Sequence, residues 1–255
     1  MPAKTERRRF LRGALAAGGA LFLSGCERLS RSAWFPDLLA KAERLTHAAQ
    51  RLVVGRAAMA EEFTEADISP RFRSNGTAQP QSDAYQALAD GNFVDYRLEV
   101  RGLVDKPLSL SLAEVRALPS RTQITRHDCV EGWSAIGKWK GARLAALLAL
   151  AHPRPEARYV VFRCADPMDG DGTLYYESID LDDAYHEQTL LAYELNGEAL
   201  PVANGAPLRL RVERQLGYKM AKYVMAVELV AGFEGIGGGK GGYWEDQGYE
   251  WYAGI

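Results

Sequence analysis

The sequence predicts a mixed α+β fold. Stretches of strand period and short helical stretches follow one another between residues 70 and 233 without the regular strand–helix alternation of a doubly wound sheet. Neither an internal repeat nor a clear linker interrupts them. The chain has 255 residues, 47% hydrophobic and 25% charged, enough to bury a core. Four segments are expected: 1–26, an export signal; 27–69, a tether and helix; 70–233, the main domain; and 234–255, a tail rich in glycine and aromatics.

Arg7 and Arg8 followed by Phe10-Leu11 fit a twin-arginine signal, which exports proteins that are already folded. The apolar run at 13–23 is too short to span roughly 30 Å of hydrocarbon. It ends in Leu23-Ser24-Gly25-Cys26, which resembles a bacterial lipobox. The expected location is the periplasm, reached through the twin-arginine machinery. Cys26 is either a lipid anchor or is lost by cleavage elsewhere.

Residues 38–45 have helical spacing, and 68–80 is irregular, broken by Pro70, Asn75-Gly76 and Pro80. Residues 93–100 alternate as a strand. Ser111 and Glu114 form a capping box that opens a short helix ending before Pro119. Residues 123–128 read as a strand leading into Cys129. An apolar helix at 142–151 stops at His152-Pro153, and 158–164 is a buried strand. Strands at 189–195 and 208–212 flank the tight-turn pair Asn196-Gly197, and 223–230 is another apolar strand.

Three clusters could carry chemistry. The first is Cys129, within Arg126-His127-Asp128-Cys129-Val130-Glu131-Gly132-Trp133. A thiolate can bind soft or high-valent metals or act as a nucleophile. His127 shares a strand face with it, but a base on the same rigid element makes poor triad geometry. His127, Cys129 and Cys164 give at most three zinc ligands, without a CxxC pair. A Cys129–Cys164 disulfide is the plain alternative in an oxidising compartment.

The second cluster runs from Asn204 to Lys222 and holds five cations: Arg209, Arg211, Arg214, Lys219 and Lys222. Alternation puts Arg209 and Arg211 on one face, with Leu208, Leu210 and Val212 on the other. This is either a solvated cationic edge or an anion site for a phosphate-bearing cofactor, with Gly217 allowing close backbone approach. The third cluster is Phe72-Arg73-Ser74-Asn75-Gly76, where Asn75 can donate and accept at a heterocycle edge. The run 235–242 is not a phosphate loop. Glu234 stands where a glycine is needed, and Gly241 where Ser or Thr would hold magnesium. It reads as a flexible segment laying Tyr243, Trp244, Tyr249 and Trp251 onto the domain. A net charge of −2 gives no basic field for nucleic acid.

Together these clusters resemble the molybdopterin-dependent oxidoreductases of the sulfite oxidase type, over roughly residues 68–233. The order Asn75, Cys129, Asn204, Arg209, Lys222 matches that family. The resemblance implies a mixed-sheet sulfite-oxidase-type domain and a molybdenum–molybdopterin cofactor with Cys129 as the catalytic metal ligand. It implies cofactor contacts from Asn75, His127, Asn204, Arg209, Met220, Ala221 and Lys222, with Lys219 and Arg214 as weaker phosphate partners. Cys164 aligns with a cofactor-contacting threonine. Arg126 and Trp133 are candidates to shape the substrate mouth. Val130-Glu131-Gly132-Trp133 replaces the arginines of sulfite oxidases and is closer to the bacterial periplasmic branch that includes the protein-methionine-sulfoxide reductases. Ala78-Gln79 departs from the Tyr-Glu pair of those reductases. The resemblance implies oxygen-atom transfer on a small sulfoxide-like or sulfite-like substrate, with electrons exchanged with a membrane haem protein or a cytochrome c. The alternative is a non-catalytic exported lipoprotein that binds an anionic ligand.

Overall fold

The computed structural model describes residue 32 and residues 34–255 except 169 and 171. They divide into two units, Met1–Val53 and Val54–Ile255. The twin-arginine pair, the apolar run and Cys26 lie outside the described residues. Among the described residues of the first unit, helix α1 (Trp34–Val53) covers the helical spacing at 38–45. No described helix is long and apolar enough to cross a membrane.

The second unit is built on two five-stranded sheets. One is mixed and ordered β2 (Leu108–Ser111), β1 (Arg97–Gly102), β10 (Val224–Val230), β5 (Tyr159–Pro167) and β6 (Leu174–Asp180). Only its β1–β10 pair is parallel. The other is antiparallel and ordered β3 (Ser120–Asp128), β4 (Ser134–Arg143), β7 (Leu190–Leu195) and β8 (Glu198–Ala199), with β9 (Arg209–Arg211) also on β7. Short helices are interspersed: α2 (Asp83–Asp90), α3 (Leu112–Ala117), α4 (Leu144–Ala151), α5 (Leu181–Ala184) and α6 (Tyr243–Asp246). This is the mixed α+β class that the sequence predicts.

Local chemistry explains the elements. The Glu114 amide donates to Ser111 Oγ (3.2 Å), and the Ser111 amide donates to Glu114 Oε2 (2.8 Å), closing the capping box of α3. The α4 leucines Leu144, Leu147 and Leu148 are fully buried and join Val160, Phe162, Val227 and Leu229 in one core. Asn196 (φ 54°) and Gly197 (φ 87°) turn β7 into β8, a left-handed pair that suits Asn-Gly. The hairpin partner is β8, and β9 reaches β7 from further along the chain.

Several boundaries differ from the sequence reading. The strand expected from 93 begins at Arg97, because Asn92 and Phe93 turn left-handed after α2, with the Phe93 amide bonded to Leu88 O (2.7 Å). The helix expected from 142 begins at Leu144, since Ala142 and Arg143 complete β4. Residues 54–69 belong with the sheets rather than to a tether: the Phe63 amide bonds Ile124 O (2.8 Å) and the Ser69 amide bonds Ile136 O (3.0 Å). The glycine-rich tail is packed rather than loose, with Asp246 accepting from the Gly238 and Lys240 amides.

The alternation over 208–212 is observed, but its cationic face is not solvated. Arg209 and Arg211 are fully buried, over Trp139 at 5.5 and 4.3 Å from the ring centroid. Phe72 meets the same indole edge-on at 5.0 Å. Trp139 therefore supports both arginines. Trp139→Ala should destabilise the fold by about 3–5 kcal/mol, read as a lower urea midpoint with an unchanged slope. An unchanged midpoint would show that the indole supports nothing.

Candidate active site

Cys129 stands at the tip of the β3–β4 hairpin. Its amide donates to Trp133 O (2.9 Å) and its carbonyl accepts from the Gly132 amide (2.9 Å). Asp128 locks the base of the loop by accepting from Arg126 Nε (2.9 Å) and Ser134 Oγ (2.5 Å). Cys129 lines a cleft of about 160 Å³ with Asn75, Thr77, Glu131, Asp166, Met168, Tyr175, Gly217, Met220 and Lys222. Trp244 and Tyr249, stacked at 5.3 Å, contribute the tail's part of the wall. Cys129 and Cys164 are both free thiols, so the disulfide alternative is overturned. No cluster of three or more His, Cys, Asp or Glu suited to a metal occurs among the described residues, which removes the zinc alternative.

His127, two residues before Cys129, is fully buried. Burial, reinforced by Arg209, Arg211 and Lys222, holds its pKa well below the ordinary histidine value, so the ring is neutral. Arg211 Nη1 lies 3.2 Å from His127 Nδ1. Met220 Sδ also lies 3.2 Å from Nδ1. Guanidinium only donates, and its charge-assisted bond outweighs a weak thioether acceptor, so Nδ1 accepts and the proton sits on Nε2. That N–H has no partner. It lies beside Gly217, where an added Cβ would come within 2.5 Å of Nε2. Arg211 is itself fixed by Glu213, with Nε 2.8 Å from Oε1, and Gln123 donates to the same carboxylate at 2.8 Å.

Arg209 is different. It donates to Asn204 O (3.1 Å) and Asn75 Oδ1 (3.1 Å), and Nε has no partner. Neither Arg209 nor Lys222 has a salt bridge among the described residues, although each is buried. Isolating an ion from water costs several kcal/mol. Burial and the neighbouring Arg211 accordingly pull the Arg209 pKa down to about 9. Lys222 Nζ donates to the carbonyls of Asn75 (2.6 Å), Thr77 and Ala203 (3.1 Å), pinning the 75–77 loop. Burial and Arg209 lower its pKa to about 7. Asp166 also lines the cleft with an unpartnered Oδ1, and burial raises its pKa to about 6.

Of the predicted residues, the fold brings Cys129, Asn75, Met220 and Lys222 to the cleft. His127, Asn204 and Arg209 stand behind it, each with an orphaned donor. Four predicted residues are placed elsewhere. Cys164 is 2% exposed in the hydrophobic core and does not line the cleft. Lys219 is fully buried between Glu177 and Glu245, 2.5 Å from each. Burial acts to lower its pKa, but the two carboxylates outweigh that and raise it, so its charge is committed to them. Ala221 is in the core and contributes its carbonyl to the Leu210 amide (2.8 Å). Arg214 likewise pairs with Asp183. Trp133 lies tilted beside His127 (5.4 Å) and under Arg73 (5.2 Å), while Arg126 is half-exposed on Asp128. Sequence reasoning missed Asp166 and Tyr175, and it laid Trp244 and Tyr249 on the domain without assigning them to the site. An acid inside the apolar run Val161-Phe162-Arg163-Cys164-Ala165-Asp166 was the available signal.

These residues fit a molybdopterin. Three orphaned donors and two buried cations without salt-bridge partners match the phosphate and acceptor atoms of such a group. Asp166 offers an acceptor, and Gly217 leaves the room a side chain would fill. Comparison with known proteins agrees. The family described as oxidoreductase molybdopterin binding domain matches residues 86–233. A YedZ1 chain of Azospira oryzae, attributed to a protein-methionine-sulfoxide reductase as a subunit, is 38% identical over 97% of this chain and 87% of its own. The protein-methionine-sulfoxide reductase catalytic subunit MsrP of Xanthomonas axonopodis is 39% identical over 67% of this chain and 56% of its own length. The sulfane dehydrogenase SoxCD of Paracoccus pantotrophus overlaps in part, with 26% identity over 54% of this chain and 39% of that one, at a TM-score of 0.48.

The electrostatics predict how anions bind the cofactor-free chain. Below pH 6 Lys222 is charged and Asp166 neutral; above pH 7 Lys222 is neutral and Asp166 charged. Sulfate affinity measured by calorimetry should therefore fall as pH rises through this window, and Lys222→Met should flatten the change. Gly217→Ala should lower cofactor loading by pushing against the His127 ring. Normal pterin content in that variant would contradict the close approach of the His127 ring to residue 217.

Proposed function

The chain belongs to the oxidoreductase molybdopterin binding domain family and is a molybdopterin-dependent oxidoreductase; from that premise we propose that it reduces a small sulfoxide in the periplasm. The observation that carries this reading is the free Cys129 at the hairpin tip, beside orphaned donors and two buried cations without salt-bridge partners, in a cleft that is otherwise largely apolar and aromatic. Val130, Met168, Tyr175, Tyr218, Trp244 and Tyr249 suit a thioether oxide better than a doubly charged oxyanion. Arg126 is engaged on Asp128 and Arg73 on Trp133. The names of the Azospira and Xanthomonas relatives support the same direction of oxygen transfer.

When bound, the molybdenum cofactor supplies the two-electron redox change. The chain's own residues do the rest. Cys129 presents the metal-binding sulfur; burial raises its thiol pKa in the metal-free chain, so coordination entails loss of that proton. His127 holds its proton at Nε2 and offers it as a hydrogen bond towards the cofactor. Asn75 and the 75–77 loop are positioned by Arg209 and Lys222. Asp166, titrating near 6, can hold and release a proton at Oδ1 within the cleft. The reaction consumes two protons and two electrons per sulfoxide and releases thioether and water.

Electrons come from outside the chain. A membrane haem protein or a periplasmic cytochrome c is the proposed donor, and the word subunit in the relatives' names supports a partner of this kind. The twin-arginine signal supports export after the cofactor is buried, with Cys26 as a lipid anchor. Anaerobic turnover with a reduced dye should consume methyl-aryl and methionine sulfoxides, with sulfite oxidation far slower. Cys129→Ala should lose turnover by at least about 1,000-fold, an amount worth about 4 kcal/mol of barrier. Preferred turnover of sulfite, or full activity without the thiol, would overturn the reading.

A further inference from the structure

Helix α1 carries a feature that the catalytic unit does not use. Trp34, Leu38, Leu45 and Leu52 recur at intervals of four, seven and seven residues. At about 100° per residue they fall within roughly 40° of one another on the helix surface. All four are exposed, at 59%, 49%, 71% and 87%. Ala42 and Ala49 extend the stripe and are also exposed, while His47, Gln50 and Arg51 on other faces are half-buried. Trp34, Leu38, Leu45 and Leu52 thus form one exposed apolar stripe along α1, a surface that an apolar phase would cover.

We propose that α1 lies flat on an anionic membrane surface and holds the enzyme there through this stripe. Three observations favour a bilayer over other occupants. Residues 26–53 contain five Lys or Arg against three Asp or Glu, a net positive balance that suits anionic headgroups. Trp34 stands at one end of the stripe, the position an interfacial anchor takes. Cys26 is eight residues before Trp34, a span of at most about 28 Å of extended chain; this last point rests on the lipid-anchor reading above. Pairing with a second copy is disfavoured. A pairing through the leucines at 38, 45 and 52 would have Phe35, Ala42 and Ala49, or Trp34, Lys41 and Ala48, as its alternate seam positions; the small alanines in either register and the lysine in one make a thin seam.

The test uses the full mature chain from Cys26 onward with Cys26→Ser, so that no acyl chain contributes. It is floated with vesicles of phosphatidylethanolamine and phosphatidylglycerol. The chain should float with the vesicles, and high salt should weaken the binding. The triple variant Leu38→Glu, Leu45→Glu, Leu52→Glu should partition at least about tenfold less. Unfolding of the catalytic unit in the triple variant should match that of the parent, which separates loss of binding from loss of fold. Cys129→Ala should float as well as the parent, so a failure of the metal site leaves this result untouched. The proposal is overturned if the parent stays at the bottom of the gradient, or if the triple variant floats equally. It is also overturned if sedimentation shows a dimer that the triple variant abolishes.

Discussion

The bond from Arg211 to His127 sets the character of the cleft. Arg211 is buried, stacked on Trp139 and gripped by Glu213, so its donor is fixed in place. It forces Nδ1 of His127 to accept and thereby leaves the ring proton at Nε2, beside Gly217 and two residues from the Cys129 sulfur. A neutral, single-tautomer histidine is a donor of fixed direction. The antiparallel sheet carries this arrangement: β9 brings Arg211, β4 brings Trp139, and β3 runs from His127 to the hairpin tip.

The cations of the 204–222 segment divide by their partners. Arg211, Arg214 and Lys219 each have a buried carboxylate. Arg209 and Lys222 have only carbonyl and amide oxygens. A buried cation without a counter-ion is unfavourable until an anion arrives, and both pKa values are lowered accordingly. The protein thus stores an electrostatic demand at the cleft and satisfies it elsewhere. Asp166 offsets part of that demand at Lys222.

Much of this was legible in the sequence because it depends on short-range pattern. The strand into Cys129, the two-faced alternation of 208–212 and the glycine at 217 all follow from spacing and residue type. What was not legible depends on partners distant in the chain. Lys219 looks like a phosphate ligand until Glu177 and Glu245 are seen folded against it, 42 and 26 residues away. Strand β4 escaped notice because its inward positions include Ala135, Gly137, Trp139 and Gly141, too small on average to read as an apolar stripe. The tail reads as flexible from its glycines. In the fold those glycines let it pack closely and bring Trp244 and Tyr249 to the cleft.

The central claim is a bond between the Cys129 sulfur and molybdenum. X-ray absorption at the molybdenum edge, on chain matured in a molybdenum-replete host, tests it most directly. The account predicts molybdenum and pterin equimolar with protein, and a sulfur shell that loses one scatterer in Cys129→Ala while the pterin is retained. A chain without molybdenum, or a sulfur shell unchanged by that substitution, would contradict it.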